Sequence, residues 1–366
     1  MKYLLTGGGT GGHVYPALAI ADEIRQQHAD AEFLYVGRND KLESWVVPDH
    51  EYPIRFVRSR PFPRSSSPSA LMWFMLTLCV GIMQGAWILL RYRPQVIIGT
   101  GGYVSAPILF AYGILAKIGL SRARVFLYEP NAHPGLLNQV VGRLAQRIGV
   151  AFEQAGRWFD MKRVAVVGYP VRRSFLALNS LVAREKLCIE AEHKVILAFG
   201  GSGGARVINE AVIEALPAWR DAGGLTVLHV TGRYKGSDYD AIAETKVALS
   251  QMGIGDEEGW YRRFDYADRI DDLIAAADLV ICRGGAGTLT ELGVSGTPAL
   301  IVPLASSAED HQAINAREIE RLGAGLVVYQ ESAWRQAQII SHLHGGKLAR
   351  QVLELCANDS RLRAMG

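Results

Sequence analysis

A histidine that closes a glycine-rich turn is the residue of this sequence best suited to proton transfer. The turn, Gly7-Gly-Gly-Thr-Gly-Gly-His13, follows the aliphatic run Tyr3–Thr6 and precedes a stretch whose apolar residues recur at helical spacing. The first amides of a helix lack intrahelical partners and favour oxygens that carry negative charge. An unperturbed histidine titrates near pH 6.5 and accepts a proton at neutral pH. The turn therefore predicts an anion site with His13 as a base, the alternative being that His13 only hydrogen-bonds the loop.

Three further glycine clusters follow predicted strands: Gly99–Tyr103, Gly200–Arg206 and Gly284–Gly287. Glycine lets a backbone turn tightly and approach a ligand closely, and ligands of open parallel sheets bind outside the carboxyl ends of the strands. Four such loops favour ligand contact in one cleft over turns that serve only the fold. None has the spacing of a P-loop, and Val36-Gly37-Arg38 stands where a dehydrogenase carries an acidic residue.

The elements that must position these loops alternate between short aliphatic strands and helical stretches, which predicts parallel sheets covered by helices. We predict an α/β fold with two Rossmann-like domains, residues 1–165 and 166–345, and a final helix in residues 346–366 that packs back toward the first domain. The predicted strands are Tyr3–Thr6, Glu32–Val36, Gln95–Ile98, Arg124–Tyr128, Ile148–Phe152, Val164–Val167, Lys194–Phe199, Thr226–Val230, Leu279–Cys282, Ala299–Val302 and Gly325–Val328.

Composition narrows the class of protein. The 366 residues are 49% hydrophobic and carry a formal net charge of +3, far from the strong basic bias of a nucleic-acid-binding protein. The four cysteines lie far apart without a C-x-x-C pair, which argues against a zinc site or a disulfide framework. The N-terminus lacks the apolar central region of a signal peptide, so we expect a cytoplasmic protein.

The glycine motifs together resemble those of the MurG family of peptidoglycan N-acetylglucosaminyltransferases, over nearly the whole chain. The matching segments are Thr6–Pro16, Gly101–Pro107, Glu129–Gly135, Gly200–Arg206 and Cys282–Ala316. The resemblance implies a GT-B fold in which the second domain holds UDP-GlcNAc, the first faces the membrane and the acceptor, and the reaction takes place between them. The implied acceptor is a polyprenyl-diphosphate-linked muramoyl peptide, lipid I, and the product is lipid II.

The resemblance also implies a donor site. Glu291, about one helical turn beyond the fourth glycine loop, is the implied ribose ligand, with a surface or helix-capping carboxylate as the alternative. Gln312 and Asn315 share one helix face and are implied to read the GlcNAc hydroxyls. His311 is implied near the diphosphate, Ser202 on a phosphate and Arg172 near the uracil, with a linker salt bridge as the alternative for Arg172. The remaining implied donor contacts are Thr10, Gly11, Gly12, Asn131, Ala267 and Ala286.

Catalysis by inversion needs a base for the acceptor hydroxyl and positive dipoles for the leaving UDP. His13 is the first candidate base, and Glu129 is the second or an orienter of His13. The implied acceptor contacts are Gly12, His13, Gly102 and Tyr103. No D-x-D pair stands where it could hold a metal on the diphosphate, and helix N-termini can take that role. We therefore predict that neither a metal nor a cofactor is required.

Departures from the family pattern leave other functions open. Tyr128-Glu129-Pro130-Asn131 stands where the family has His-Glu-Gln-Asn, and Gly203 replaces a Gln. The alternatives are a related transferase for another glycolipid acceptor, a UDP-GlcNAc 2-epimerase-like enzyme, and a sugar-nucleotide-binding module without catalysis. An epimerase would be expected to place several carboxylates around the sugar, and a binding module would not need His13.

An uncharged apolar segment of 21 residues, Ala70–Leu90, is long enough to span a bilayer as a helix. It lies between strands that must join one sheet, so a single crossing would separate them. We therefore expect peripheral binding at the inner face of the cytoplasmic membrane, with an ordinary core helix as the alternative. The flanking arginines fit anionic head groups; they are Arg55, Arg58, Arg60, Arg64, Arg91 and Arg93.

Overall fold

The structure is a computed structural model that describes residues 1–63, 67–201, 203–236, 239–305, 310–335 and 338–366. It divides into two compact units, Met1–Val171 and Arg172–Gly366. Arg64 and Ser202, both singled out from the sequence, lie outside the described residues. The boundary falls six residues after the predicted one, just beyond residues 168–170.

The first unit is built on a parallel sheet of seven described strands in the order β3-β2-β1-β4-β5-β6-β7. The five inner strands are mostly buried on both faces, as expected of a parallel sheet between layers of helices, whereas the two short edge strands are mostly exposed. The strands are β1 Lys2–Thr6, β2 Glu32–Gly37, β3 Ile54–Phe56, β4 Val96–Gly99, β5 Arg124–Glu129, β6 Arg147–Val150 and β7 Val164–Val166. The helices are α1 Gly11–Gln27, α2 Glu43–Asp49, α3 Pro68–Tyr92, α4 Ala106–Lys117, α5 Leu136–Val141 and α6 Glu153–Gly156.

The second unit repeats the plan with six described strands in the order β10-β9-β8-β11-β12-β13. This is the doubly wound order of a nucleotide-binding sheet, which confirms the predicted fold class. The strands are β8 Lys194–Phe199, β9 Leu225–Val230, β10 Tyr261–Phe264, β11 Leu279–Cys282, β12 Ala299–Ile301 and β13 Gly325–Val327, with a hairpin of β14 Glu331–Arg335 and β15 Gln338–His342. The helices are α7 Ser180–Lys186, α8 Arg206–Ala222, α9 Ala241–Gln251, α10 Ile270–Ala276, α11 Ala286–Ser295, α12 His311–Arg321, α13 Gly345–Cys356 and α14 Asp359–Met365.

The C-terminal helices belong to the second unit, and the packing of residues 346–366 toward the first domain stays a prediction. Helix α13 packs on α8, where buried Trp219 donates its indole N–H to the Ala349 carbonyl at 3.4 Å. Lys194 pairs with Asp359 of α14 at 2.7 Å. The apolar side chains of α13 complete the core of the second unit.

The long helix α3 connects two strands of one sheet. Strand β3 precedes it and β4 follows it, and both belong to the seven-stranded sheet. It packs on α4 through Gly81 and Gly85, where added Cβ atoms would lie 3.0 Å from Pro107 atoms. Among the described residues it is the one helix long and apolar enough to span a membrane. The pairing of both strands in one sheet instead makes it a crossover helix.

Candidate active site

The first glycine loop leaves β1 and is fixed by polar side chains of neighbouring strands. Tyr35 donates its hydroxyl to the Gly7 carbonyl at 2.8 Å, and Thr100 donates to the His13 carbonyl at 2.6 Å. A Cβ on Gly7 would lie 1.9 Å from the Thr100 hydroxyl oxygen, so only glycine fits there. The loop enters α1 at Gly11, with Thr10 as the N-cap residue.

His13 lies in the first turn of α1, half-buried between two glycine loops. Its Nδ1 is 3.0 Å from the Thr10 hydroxyl oxygen. A Cβ built on Gly101 would lie 3.1 Å from the His13 Cδ2, and one on Gly102 would lie 2.3 Å from the Gly8 carbonyl oxygen. Both Gly101 and Gly102 have positive φ angles, of 91° and 75°. The structure therefore brings together the loops after β1 and β4, as predicted from their glycines.

The predicted acceptor residues Gly102 and Tyr103 lie in this second loop. The Tyr103 ring packs beside Gly9 and has the Arg38 guanidinium 5.9 Å from its centroid. Burial raises the pKa of Tyr103, so its phenol stays neutral at physiological pH. The half-buried ring thus forms a neutral wall beside the first glycine loop.

Glu129 ends β5 and lies inside the first unit with only 2% of its surface exposed. Its carboxylate accepts hydrogen bonds from the Asn131 backbone at 2.9 Å, the Asn131 amide at 3.1 Å, the Gly135 backbone at 3.1 Å and the Asn138 amide at 2.9 Å. Burial raises the pKa of Glu129, although these four donors oppose the shift. The geometry favours a carboxylate that holds residues 129–138 in shape.

Asn138 connects this carboxylate to the second glycine loop and was not singled out from the sequence. Its amide also donates to the Tyr128 carbonyl at 3.2 Å, and a Cβ on Gly101 would lie 3.3 Å from its nitrogen. The Asn131 contact with the donor stays a prediction, and Asn131 is half-buried here. In the first unit, loops after three adjacent strands therefore meet around His13.

In the second unit the loops after β11 and β12 are joined by the predicted amides. Asn315 has no exposed surface and donates to the Gly284 carbonyl at 3.3 Å. The Gln312 side-chain oxygen accepts from the Leu304 backbone N–H at 3.0 Å. In this conformation Asn315 braces the fourth glycine loop, whereas Gln312 is half-buried, and the sugar contacts of both remain predictions.

Arg172 and Glu291 form a salt bridge within the second unit. The Arg172 Nε and Nη2 lie 3.1 and 2.9 Å from one Glu291 oxygen. Burial raises the pKa of Glu291, and the Arg172 charge opposes that shift without cancelling it. The Glu291 side chain is 17% exposed and that of Arg172 is 48% exposed. The structure thus pairs the two residues predicted for the ribose and the uracil, and their nucleoside contacts stay predictions.

The remaining predicted donor residues have simpler surroundings. Ala286 is the first residue of α11 and is buried, whereas Ala267 packs against the core after β10. His311 opens α12 and is half-buried. Thr10, Gly11 and Gly12 lie at the start of α1 in the first unit. Ser202 is outside the described residues, so its phosphate contact stays a prediction.

A buried amide beneath the third glycine loop was missed by sequence reasoning. Asn209 of α8 donates to the Thr231 carbonyl at 2.9 Å and its oxygen is 3.1 Å from the His229 Nε2. A Cβ on Gly204 would lie 1.9 Å from the Thr231 carbonyl oxygen. Burial lowers the pKa of His229 to about 3, so this ring is neutral. The network supports the turn that follows β8.

The described residues contain no group of three or more His, Cys, Asp or Glu side chains arranged to hold a metal ion. Helix N-termini and arginines among these residues are groups that can provide positive charge to a diphosphate. The absence of a metal requirement stays a prediction.

Comparisons with known proteins agree with this arrangement. Residues 3–150 match the glycosyltransferase family 28 N-terminal domain, and residues 195–365 match the glycosyltransferase family 28 C-terminal domain. A relative from Halothermothrix orenii is 34% identical over 369 residues, covering 100% of this chain and 93% of the relative. That relative is named UDP-N-acetylglucosamine–N-acetylmuramyl-(pentapeptide) pyrophosphoryl-undecaprenol N-acetylglucosamine transferase.

The chain belongs to the MurG family of glycosyltransferases. As a member of this family it is an enzyme of the glycosyltransferase class. The crystal structure of Acinetobacter baumannii MurG is similar in fold, with a TM-score of 0.72, 24% identity, and coverage of 100% of this chain and 93% of that chain.

The fold of this glycosyltransferase is shared with a different class of enzyme. A putative UDP-N-acetylglucosamine 2-epimerase from Listeria monocytogenes has a TM-score of 0.62 and 10% identity, with coverage of 100% of this chain and 90% of that chain. Fold alone therefore does not separate a transferase from an epimerase.

Replacing Glu129 by Gln changes how stability depends on pH. In the folded state the pKa of Glu129 is raised above its ordinary value of 4.5. The protonated side chain therefore contributes fully to folding stability below pH 4.5, and this contribution is lost as the pH rises through the folded-state pKa. We expect the free energy of unfolding of the wild type, relative to Glu129→Gln, to fall from about pH 4 upward and then level off. Urea unfolding of the wild type and of Glu129→Gln at several pH values measures this difference in the free energy of unfolding.

Tyr128→Phe is the matched control, because it removes the neighbouring hydroxyl that donates to the Gly168 carbonyl at 3.0 Å. Burial raises the pKa of Tyr128, so the phenol stays neutral between about pH 4 and 8. Its stability difference from the wild type should not vary over this range. If the free energy of unfolding of the wild type, relative to Glu129→Gln, instead increased with pH, the raised pKa of Glu129 would be contradicted.

Proposed function

We propose that this enzyme transfers GlcNAc from UDP-GlcNAc to the C4 hydroxyl of the muramoyl sugar in lipid I, giving lipid II with inversion at the anomeric carbon. The observation that carries the proposal is the full-length match, at 34% identity, to a relative named for this reaction. The half-buried His13 between two glycine loops supports it, because this ring can serve as the base that the reaction needs.

In the proposed reaction the acceptor oxygen attacks the anomeric carbon, the bond from that carbon to the diphosphate breaks, and UDP leaves with the electron pair. The acceptor proton passes to His13. When Nδ1 carries the proton that it donates to Thr10, the lone pair lies on Nε2, and that nitrogen is the basic one. The Thr10 contact therefore fixes the orientation of the ring in either tautomer.

The departing diphosphate needs positive charge, which the second unit supplies at its glycine loops. Helix α11 begins immediately after Gly285, and α8 begins after the third glycine loop. The amides at such helix starts favour anions without a metal. We propose that the Asn315 and Asn209 contacts keep these two loops in place for the diphosphate.

We also propose that the enzyme binds the inner face of the cytoplasmic membrane through α3. Several large apolar side chains of this helix are 43–65% exposed and recur on one face. They are Met72, Trp73, Leu76, Met83, Trp87 and Leu90. Arg55, Arg58, Arg60 and Arg91 around the helix are exposed as well, and suit anionic head groups. The opposite face packs on α4, which favours a helix lying in the membrane plane.

Transfer is tested by supplying the purified enzyme with UDP-GlcNAc, with and without lipid I, and measuring UDP and a β-linked disaccharide product. We expect UDP release only with the acceptor present. His13→Ala should lower kcat by about 10² to 10⁴, because general base catalysis is lost. His28→Ala, an exposed histidine at the end of the same helix, is the control and should keep the wild-type rate.

Other outcomes of this experiment select other functions. Release of UDP-ManNAc or of free ManNAc without an acceptor would select an epimerase. Transfer to a different glycolipid but not to lipid I would correct the acceptor. If the protein bound UDP-GlcNAc but glycosylated none of the acceptors, it would be a sugar-nucleotide-binding module without catalysis.

Glu291→Ala tests the donor site. If Glu291 accepts both ribose hydroxyls, we expect the Kd for UDP to rise about tenfold to hundredfold, because hydrogen bonds to a charged group contribute about 1.5–3 kcal/mol. Isothermal titration calorimetry measures the Kd. Glu190→Ala removes an exposed carboxylate of the same unit and should leave the Kd unchanged. An unchanged Kd for Glu291→Ala would assign the carboxylate to the Arg172 salt bridge alone.

Membrane binding is tested by replacing Trp73, Leu76 and Trp87 together with Ser. We expect co-sedimentation with phosphatidylglycerol vesicles to weaken at least tenfold, because burial of such side chains contributes about 1.5–3 kcal/mol each. The folding stability should change little, since all three are exposed. Serine at the exposed Leu181, Val247 and Leu322 of the second unit is the matched control. Equal binding by both triple variants would defeat the proposed surface.

A further inference from the structure

A fully buried carboxylate lies directly behind the first glycine loop. Glu43 is the first residue of α2 and has no exposed surface. Its Oε2 accepts the backbone N–H of Gly9 at 3.1 Å, and its Oε1 accepts the backbone N–H of Arg38 at 3.0 Å. One side chain thus joins the loop that follows β1 to the loop that follows β2.

Two glycines create the space that this carboxylate occupies. A Cβ on Gly8 would lie 2.6 Å from the Glu43 Oε1, and a Cβ on Gly37 would lie 2.5 Å from its Cγ. Neither contact leaves room for an alanine. Part of the glycine content of the first loop therefore serves the carboxylate behind it.

The hydrogen bond from Gly9 leads directly to the candidate base. Gly9 has a φ angle of 87°, a conformation that residues other than glycine rarely adopt. Its backbone N–H is held by Glu43, which lies outside the loop. The next residue, Thr10, is the N-cap of α1, and its hydroxyl contacts the His13 Nδ1 at 3.0 Å. Anything that releases Gly9 will therefore alter the position of the Thr10 hydroxyl.

The geometry points to Glu43 as a positioning residue for the transfer reaction, acting on His13 through Gly9 and Thr10; this inference rests on the function proposed above. The carboxylate does not touch a substrate-binding surface, because it is completely buried. The Arg38 guanidinium binds Asp40 at 2.7 and 2.6 Å, whereas the Glu43 oxygens accept the backbone N–H groups of Gly9 and Arg38. Its contribution is to hold the loop that presents the base.

Glu43→Gln is the informative substitution because it keeps the size of the side chain. An amide offers one acceptor oxygen, so it can serve either Gly9 or Arg38, and its NH₂ group then faces the other backbone N–H. We expect kcat to fall about tenfold because the base is misplaced, with the KM for UDP-GlcNAc changed less than about twofold. Glu43→Asp, which is shorter by one methylene, is the second variant should the glutamine variant fold poorly.

The loop itself provides a readout that does not depend on activity. Hydrogen–deuterium exchange of peptides covering residues 6–14 should become faster in Glu43→Gln, because the Gly9 amide loses its acceptor. Tyr112→Phe is the matched control, since it removes a buried hydrogen bond, 2.8 Å to the Ala123 carbonyl, elsewhere in the same unit. It should leave both kcat and exchange in residues 6–14 unchanged.

A double-mutant cycle with His13→Ala decides whether Glu43 acts through the histidine. If it does, Glu43→Gln lowers kcat in the wild type but has little further effect when His13 is already absent. Equal fractional losses in the two backgrounds, or unchanged exchange in residues 6–14, would overturn the inference. Absence of GlcNAc transfer by the wild type would instead refute the proposed function, while the exchange experiment would still report whether Glu43 holds the loop.

Discussion

Backbone amides at the carboxyl ends of the strands are the groups on which the candidate site residues of each unit depend. A buried backbone N–H needs a hydrogen-bond acceptor. A loop can therefore keep one N–H group available for a ligand when its other N–H groups are bound by the protein. In this chain the acceptors are buried side chains: Glu43 behind the first loop and Glu129 behind the loop after β5. The glycine loops are therefore firmly supported turns, although glycine is the most flexible residue.

The second unit supports its loops by the reverse polarity, because buried side-chain amides donate there to backbone carbonyls. Asn209 holds the Thr231 carbonyl beneath the third loop, and Asn315 holds the Gly284 carbonyl in the fourth. This difference follows the chemistry expected of each unit. A neutral amide adds no negative charge near the place where a diphosphate is proposed to bind, whereas the carboxylates lie in the unit that carries the candidate base.

The sequence predicts the centre of each sheet well and the edges poorly. The buried aliphatic strands and the order of the domains were predicted because short hydrophobic runs between glycine turns are typical of strands buried on both faces. Strand β3 is three residues long and mostly exposed, and β10 contains Arg262 and Arg263, so neither has the apolar pattern of a buried strand. The hairpin of β14 and β15 was missed too.

For the site, the glycine loops and His13 were predictable because they follow strands directly. Glu43 and Asn209 were not, because each is a polar residue of a helix whose partner lies in a loop distant in sequence. Asn138 was missed as well, although its partner Glu129 ends the preceding strand only nine residues earlier. Asn315 illustrates the same limit. Its spacing from Gln312 indicates a shared helix face, but spacing does not tell which of the two amides is exposed.

The outer face of α3, unlike its inner face, is exposed rather than packed against the rest of its unit. Gly81, Gly85, Ile88 and Leu89 anchor the helix to its unit, whereas Trp73 and Trp87 remain 57% and 61% exposed. Folding thus constrains the inner residues and leaves the outer ones free to vary. A screen that scores variants by solubility or melting temperature would therefore accept hydrophilic replacements on that face as improvements. Only selection for growth in a living cell would test whether the apolar side chains are needed.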